Sequence, residues 1–187
     1  DRPAINEVWT EYFGSENPPT RFAVQMVDVS GPEPDDTSRI VVDAVALAPG
    51  GTARKECFHS PLPPRFGSFV SQAVKANDFF FFAAQRGVDP ETNKVLVSDT
   101  GSQAQQILEN MKAVLESQGG SLDDVVKSGL YLKNIEDRPV VNEVWSKYFG
   151  ERPPSRFGVQ VADIFGGTDL TNILVDAIAL APGTQTP

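Results

Sequence analysis

The chain repeats itself, and the repeat is incomplete. Residues 1–14 (DRPAINEVWTEYFG) recur as 137–150 (DRPVVNEVWSKYFG), with 10 of 14 positions identical. Residues 17–29 recur as 152–164 with 7 of 13 identical, and 40–50 recur as 173–183 with 9 of 11. The stretch from Thr52 to Glu136 occurs once. One complete unit and the back half of another are therefore expected, and this constrains fold, assembly and the number of sites together. The first residue is Asp1, which reads as the start of a fragment or of a processed product.

The repeated half reads helix–strand–strand. Pro139 suits a first helical turn with Asp137 as its N-cap. Val141, Val144, Trp145, Tyr148 and Phe149 recur at helical spacing, and Gly150 ends the helix. Residues 156–164 and 173–181 carry strand patterns. In the unrepeated part, 68–74 and 78–85 read as strands joined by a turn at 75–77. A loop follows at 88–93, then a helix at 101–118 capped by Gly119-Gly120, a turn at 121–124 and a strand at 125–132. The prediction is an α+β unit, β-β-α-β-α-β-β, over 65–187, with an α-β-β half at 1–50 and a linker at 51–64.

Composition excludes several functions. The net charge of −9, with no basic cluster to offset it, disfavours nucleic acid and anionic membranes as partners. No apolar run approaches the roughly 20 residues of a membrane span. The single cysteine, Cys57, rules out an internal disulfide and suits a reducing compartment, the cytoplasm or the mitochondrion. Cys57 and the single histidine, His59, would make half a metal site with no second pair to complete it, so no metal is expected. Any Ser-His-Asp or Cys-His catalysis would have to use His59.

The run GSFVSQAVKANDFFFFAAQRGVDPETNK resembles the opening of the RidA/YjgF family, also known as L-PSP endoribonucleases. So do QILENMKAVLESQGGSLDDVVKSGLYLKNIED, VNEVWSKYFGERPPSRFGVQVADI and LVDAIALAP, in the same order. The resemblance covers 65–187, and its back half recurs at 1–50. It implies a chorismate-mutase-like fold, trimers with ligand clefts between neighbouring units, and cofactor-free hydrolysis of 2-imino or 2-enamino acids to 2-keto acids and ammonia.

The resemblance also assigns roles. Arg156 matches the arginine that binds the substrate carboxylate, for which a planar guanidinium fork is suited; a strand-end arginine in a salt bridge is the plainer alternative. Asp176 stands where the family usually has a glutamate that holds the attacking water. Aspartate is one methylene shorter, and a carboxylate held by backbone is the alternative. Asn142 matches a cleft asparagine or is a helix-surface residue. Phe69 replaces a ligand-contacting tyrosine and leaves only an apolar wall, with Phe157 as a second wall. Ala83-Ala84 before Gln85 replaces a Ser-Gly pair, which removes one hydrogen bond and narrows the backbone approach. Arg21, Asp43 and Asn6 are the second-unit equivalents. The expected activity is therefore an imine deaminase. A non-catalytic keto-acid binder and an endoribonuclease are the rivals. Residues 1–50 are too few to fold alone and need a β-β-α-β half to cover Trp9, Tyr12, Phe13, Val24, Val42 and Val45. Either a first half-domain of a tandem parent stays bound as a separate segment, or residues 1–50 pack on 65–136 and leave 137–187 to pair with another chain; a homo-oligomer with a trimeric or pseudo-hexameric arrangement of units is expected.

Overall fold

A computed structural model describes residues 2–21, 23–26, 40, 42–59, 61–62, 64, 70–164 and 170–182. In chain order the elements are α1 (Arg2–Phe13), β1 (Val24–Gln25), β2 (Lys55–Phe58), β3 (Ala73–Ala76), β4 (Phe79–Gln85), α2 (Thr100–Ser117), β5 (Val125–Leu132), α3 (Arg138–Phe149), β6 (Ser155–Gln160), β7 (Asp163–Ile164) and β8 (Ile173–Leu180). The expected β-β-α-β-α-β-β order is present from β3 to β8, except that the penultimate strand is divided into β6 and β7.

Six strands form one sheet in the order β2-β3-β4-β8-β5-β6. All neighbours are antiparallel except β5 and β6, which are joined through the crossover helix α3 and run parallel. The last strand in sequence, β8, lies between β4 and β5 and is hydrogen-bonded on both sides. Its alternation sends Ile173, Val175, Ala177 and Ala179 toward the helices, where they meet Ile107, Leu108, Met111, Leu115, Val141 and Trp145 in the main core. Leu174 faces the other way, in a smaller cluster with Ala84, Tyr131, Val161 and Ile164.

Local chemistry sets the boundaries. The Asp99 carboxylate accepts from Ser102 N–H at 2.9 Å and caps α2. At its far end Gly119 takes a left-handed φ of +81°, and the N–H of Gly120 returns to Leu115 O at 3.0 Å. Asp137 precedes α3 but does not cap it through its side chain. Its carboxylate instead accepts from Thr100 Oγ1 at 2.5 Å, tying the start of α2 to that of α3.

Three boundaries differ from the sequence reading. Where a strand is expected at 68–74, residues 68–69 lie outside the described residues and β3 spans 73–76; it runs past 74 because the reversal comes at Asn77-Asp78, where Asn77 adopts φ +53° and Ala76 pairs with Phe79. Residues 55–58, read as linker, form β2 and extend the sheet along β3. The strand read at 156–164 divides into β6 and β7, since Ala162 N–H donates to Gln25 O at 2.8 Å and β7 leaves the main sheet to pair with β1.

The N-terminal half packs on the complete unit through its middle segment. Ser71 N–H donates to Pro19 O at 3.3 Å, Ser71 Oγ to Pro18 O, and Cys57 Sγ to Pro18 O at 3.3 Å. Val24 then packs on the Ala84–Tyr131–Leu174 cluster. Residues 42–48, read as a strand by their likeness to β8, form none. Neither β4 nor β5 is free to flank them, since β8 occupies both.

The repeat pair Phe13 and Phe149 reports this asymmetry, one exposed and one buried. Phe149→Ala should cost about 3–5 kcal/mol in urea denaturation, and Phe13→Ala within about 1 kcal/mol. Equal costs would contradict the described packing.

Candidate active site

Strand β6 is the sheet's edge, and its alternation turns Arg156 toward α3 and Phe157 toward the open face. Arg156 Nη2 donates to Asn142 Oδ1. The guanidinium lies 4.8 Å above the Trp145 ring. Asn142 and Trp145 are three residues apart on α3 and share a face, so one helix presents both partners. Burial, and secondarily the like charge of Arg138, lower the Arg156 pKa, although an arginine so placed remains cationic. Its Nη1 is buried without a hydrogen-bond partner, and among the described residues no carboxylate pairs with it. The salt-bridge alternative is not what the structure shows. A half-buried cation beside one like charge, with one donor nitrogen unused, is suited to receive an anion.

The N-terminal half builds the same clamp from its own copy of the sequence. Arg21 Nη2 donates to Asn6 Oδ1 at 2.6 Å and stacks 4.9 Å over Trp9. The Trp9–Phe13 centroid distance of 4.5 Å matches the 4.6 Å of Trp145–Phe149. Asn6 and Asn142 are thus arginine partners, Asn142 while exposed on the helix surface.

Asp176 belongs to the opposite face. Its Oδ1 accepts from Gly129 N–H at 2.6 Å, and the Tyr131 hydroxyl approaches Oδ2 at 3.4 Å. Tyr131 stands edge-on to Phe157, with centroids 5.7 Å apart at 88°. Burial raises the Asp176 pKa against the opposing hydrogen bonds. Burial also raises that of Tyr131, helped by the Asp176 charge and, more weakly, by that of Asp43, the second-unit carboxylate. Gly129 makes the arrangement possible. A Cβ there would stand 2.5 Å from Phe157 Cζ and 2.6 Å from Asp176 Oδ1. Sequence reasoning missed Gly129, Tyr131 and Trp145 as site residues. A glycine inside the strand VVKSGLYL was the available signal of close approach.

Register places Phe157, Gly129 and Asp176 side by side on β6, β5 and β8. Two strand spacings, roughly 10 Å, therefore separate β6 from β8, and Arg156 and Asp176 lie on opposite faces. One unit does not bring the two expected catalytic residues together. Ala84 is buried beside Tyr131. Gln85 is fully buried, with Nε2 donating to Ala83 O at 2.6 Å and Oε1 unpartnered. Phe69 lies outside the described residues. Cys57 and His59 gather no further metal-ligating side chains among the described residues, and His59 Nε2 lies 3.4 Å from Ser71 Oγ.

Two outcomes follow from this packing. Gly129→Ala should destabilise the protein by about 1–3 kcal/mol, and by less in a Phe157→Ala background; equal costs would show that the ring is not the obstacle. Because burial raises the Asp176 pKa, its contribution to stability is present below the ordinary aspartate value of about 3.9 and is lost as pH rises through the raised value. Asp176→Asn cannot ionise yet keeps an acceptor for Gly129. Its stability relative to the parent, measured by denaturation, should rise across that window and then level off. A difference independent of pH would contradict the assignment.

Comparison with known proteins agrees with the fold. The profile of the family described as Endoribonuclease L-PSP matches residues 63–179. A RutC family protein of Pyrococcus abyssi is 43% identical over 110 residues, 59% of this chain and 86% of that protein. A 2-iminobutanoate/2-iminopropanoate deaminase of Dermatophagoides farinae is 34% identical over 110 residues, again 59% and 86%. The crystal structure of RidA from an Antarctic Psychrobacter superposes with a TM-score of 0.61 at 34% identity, covering 67% of this chain and 98% of that one. With more than half of its length matched, the chain belongs to the endoribonuclease L-PSP family, the RidA/YjgF proteins.

Proposed function

We propose that the protein hydrolyses small 2-imino or 2-enamino acids to 2-keto acids and ammonia. The observation that carries this reading is the Arg156 clamp, a half-buried guanidinium fixed by Asn142 and Trp145, with Nη1 unused and no carboxylate paired with it among the described residues. One relative named a 2-iminobutanoate/2-iminopropanoate deaminase and another named Reactive Intermediate Deaminase A support the reaction class. Arg156 would bind the substrate carboxylate, lowering the electron density at the adjacent iminium carbon. A 2-enamino acid first takes a proton from solvent at its β-carbon to become the iminium. Water adds to the iminium carbon, the C–N bond breaks as the carbonyl forms, and both water protons end on nitrogen, which leaves as ammonium. Asp176 would orient the water, and Phe157 would keep bulk solvent off. Imine hydrolysis is intrinsically facile, so positioning and electrostatics suffice.

The clamp and the aspartate would meet between units. Arg21 supports this, because its flanking residues touch the complete unit on both sides. Pro18 and Pro19 meet Ser71, and Val24 meets the cluster of Ala84 and Tyr131. Such flanking contacts would let a clamp from one unit approach the aspartate-bearing face of another. No cofactor enters this scheme.

A second reading, a keto-acid binder without turnover, is favoured by one feature. Both Asp176 oxygens already have donors, at 2.6 and 3.4 Å. The endoribonuclease reading suggested by the family's description is disfavoured by the net charge of −9.

Release of ammonia from enzymatically generated 2-aminoacrylate distinguishes these readings. The parent should exceed buffer. Arg156→Ala should lower kcat/KM by roughly 100-fold, and Asn142→Ala less, chiefly through KM. Activity should fall as pH drops through the raised Asp176 pKa, because the ionised carboxylate is needed. Saturable binding of a 2-keto acid with no turnover would establish the second reading in place of the first.

A further inference from the structure

Resting on the hydrolytic reading above, we infer that Arg138 makes the Arg156 clamp selective for 2-imino acids that carry a second carboxylate. Arg138, Asn142 and Trp145 fall at i, i+4 and i+7 of α3 and share one face. Asn142 and Trp145 hold Arg156 from that face, one by a hydrogen bond and the other by stacking. Arg138 therefore stands one helical turn, roughly 5.4 Å, before the residue that grips the clamp. The two cations are near enough that the like charge of Arg138 adds to burial in lowering the Arg156 pKa. Both copies of the repeat carry this arginine. Arg2, Asn6 and Trp9 have the spacing of Arg138, Asn142 and Trp145, although only 10 of the 14 positions are identical.

Arg138 is exposed and, among the described residues, has no ion-pair partner. Two acids precede it. The Asp137 carboxylate is engaged by Thr100 Oγ1 at 2.5 Å, and Glu136 is exposed and pairs with no cation among the described residues. Asp137 also leaves the start of α3 without a side-chain cap, so the positive end of the helix adds to the charge of the arginine.

Two guanidinium groups held near one another with no carboxylate between them repel. A single carboxylate on Arg156 offsets one of them. A second carboxylate on Arg138 offsets the other and adds a charge-assisted hydrogen bond. An apolar substrate tail would gain nothing at this rim and would strip water from Arg138. The short carbon chain of a diacid such as 2-iminoglutarate spans a distance on the order of one helical turn, within the arc of the flexible Arg138 side chain.

The test compares ammonia release from enzymatically generated 2-iminoglutarate and 2-iminobutanoate, together with the affinities of 2-ketoglutarate and 2-ketobutanoate measured by calorimetry. In the parent, kcat/KM should favour the diacid by at least about fivefold, chiefly through KM, and Arg138→Gln should bring the ratio close to unity. Arg138→Lys should restore part of the preference. Turnover without preference for the diacid, or a preference that survives Arg138→Gln, would overturn the inference and leave the hydrolytic reading standing. If neither imine is turned over faster than in buffer, the hydrolytic reading fails and the affinities decide. Tighter binding of 2-ketoglutarate that is lost in Arg138→Gln would uphold Arg138 as the residue that selects a second carboxylate, and equal affinities would overturn it.

Discussion

Strand β8 can be buried only because it is bonded on both edges and covered on one face by helices. A strand of apolar residues with a carboxylate at its centre is costly in isolation, since every backbone group and the Asp176 side chain need a partner away from water. Strands β4 and β5 supply the backbone partners, α2 and α3 the apolar cover, and Gly129 N–H the side-chain donor. Remove those elements and the same sequence type, at residues 42–48, forms no strand. The duplication thus compares one sequence with and without its cover.

The arginine clamp depends on less. It appears twice with nearly the same geometry, although one helix is buried and the other largely exposed. Its parts are local: an asparagine and a tryptophan three residues apart on a helix, and an arginine on the returning chain. A helix face sets the first two regardless of what lies behind it. The clamp is therefore a property of the repeated half. The aspartate's environment, which needs β5 and its glycine, belongs to the whole unit.

That division explains what could be read from sequence. The order of elements, the helix at 101–118 with its glycine end, and the arginine were visible because each rests on local pattern or on a motif. The linker at 51–64 was misread because β2 has ordinary edge-strand composition, and only its pairing with β3 identifies it. The division of 156–164 was hidden because Gln25, far off in sequence, draws β7 from the sheet. The placement of Arg156 and Asp176 on opposite faces was also hidden, since it follows from strand register rather than from residue type. In sequence Tyr131 is one aromatic of an apolar strand, and its hydroxyl has meaning only beside Asp176.

The central claim is that Arg156 is an anion receptor and not a structural cation. The most direct measurement is a crystal structure of the protein with a small 2-keto acid. The account predicts a carboxylate on the guanidinium, with one oxygen on Nη1 and the Asn142 contact retained. A structure in which the acid is absent at saturating concentration, or bound elsewhere while Nη1 stays unoccupied, would contradict it.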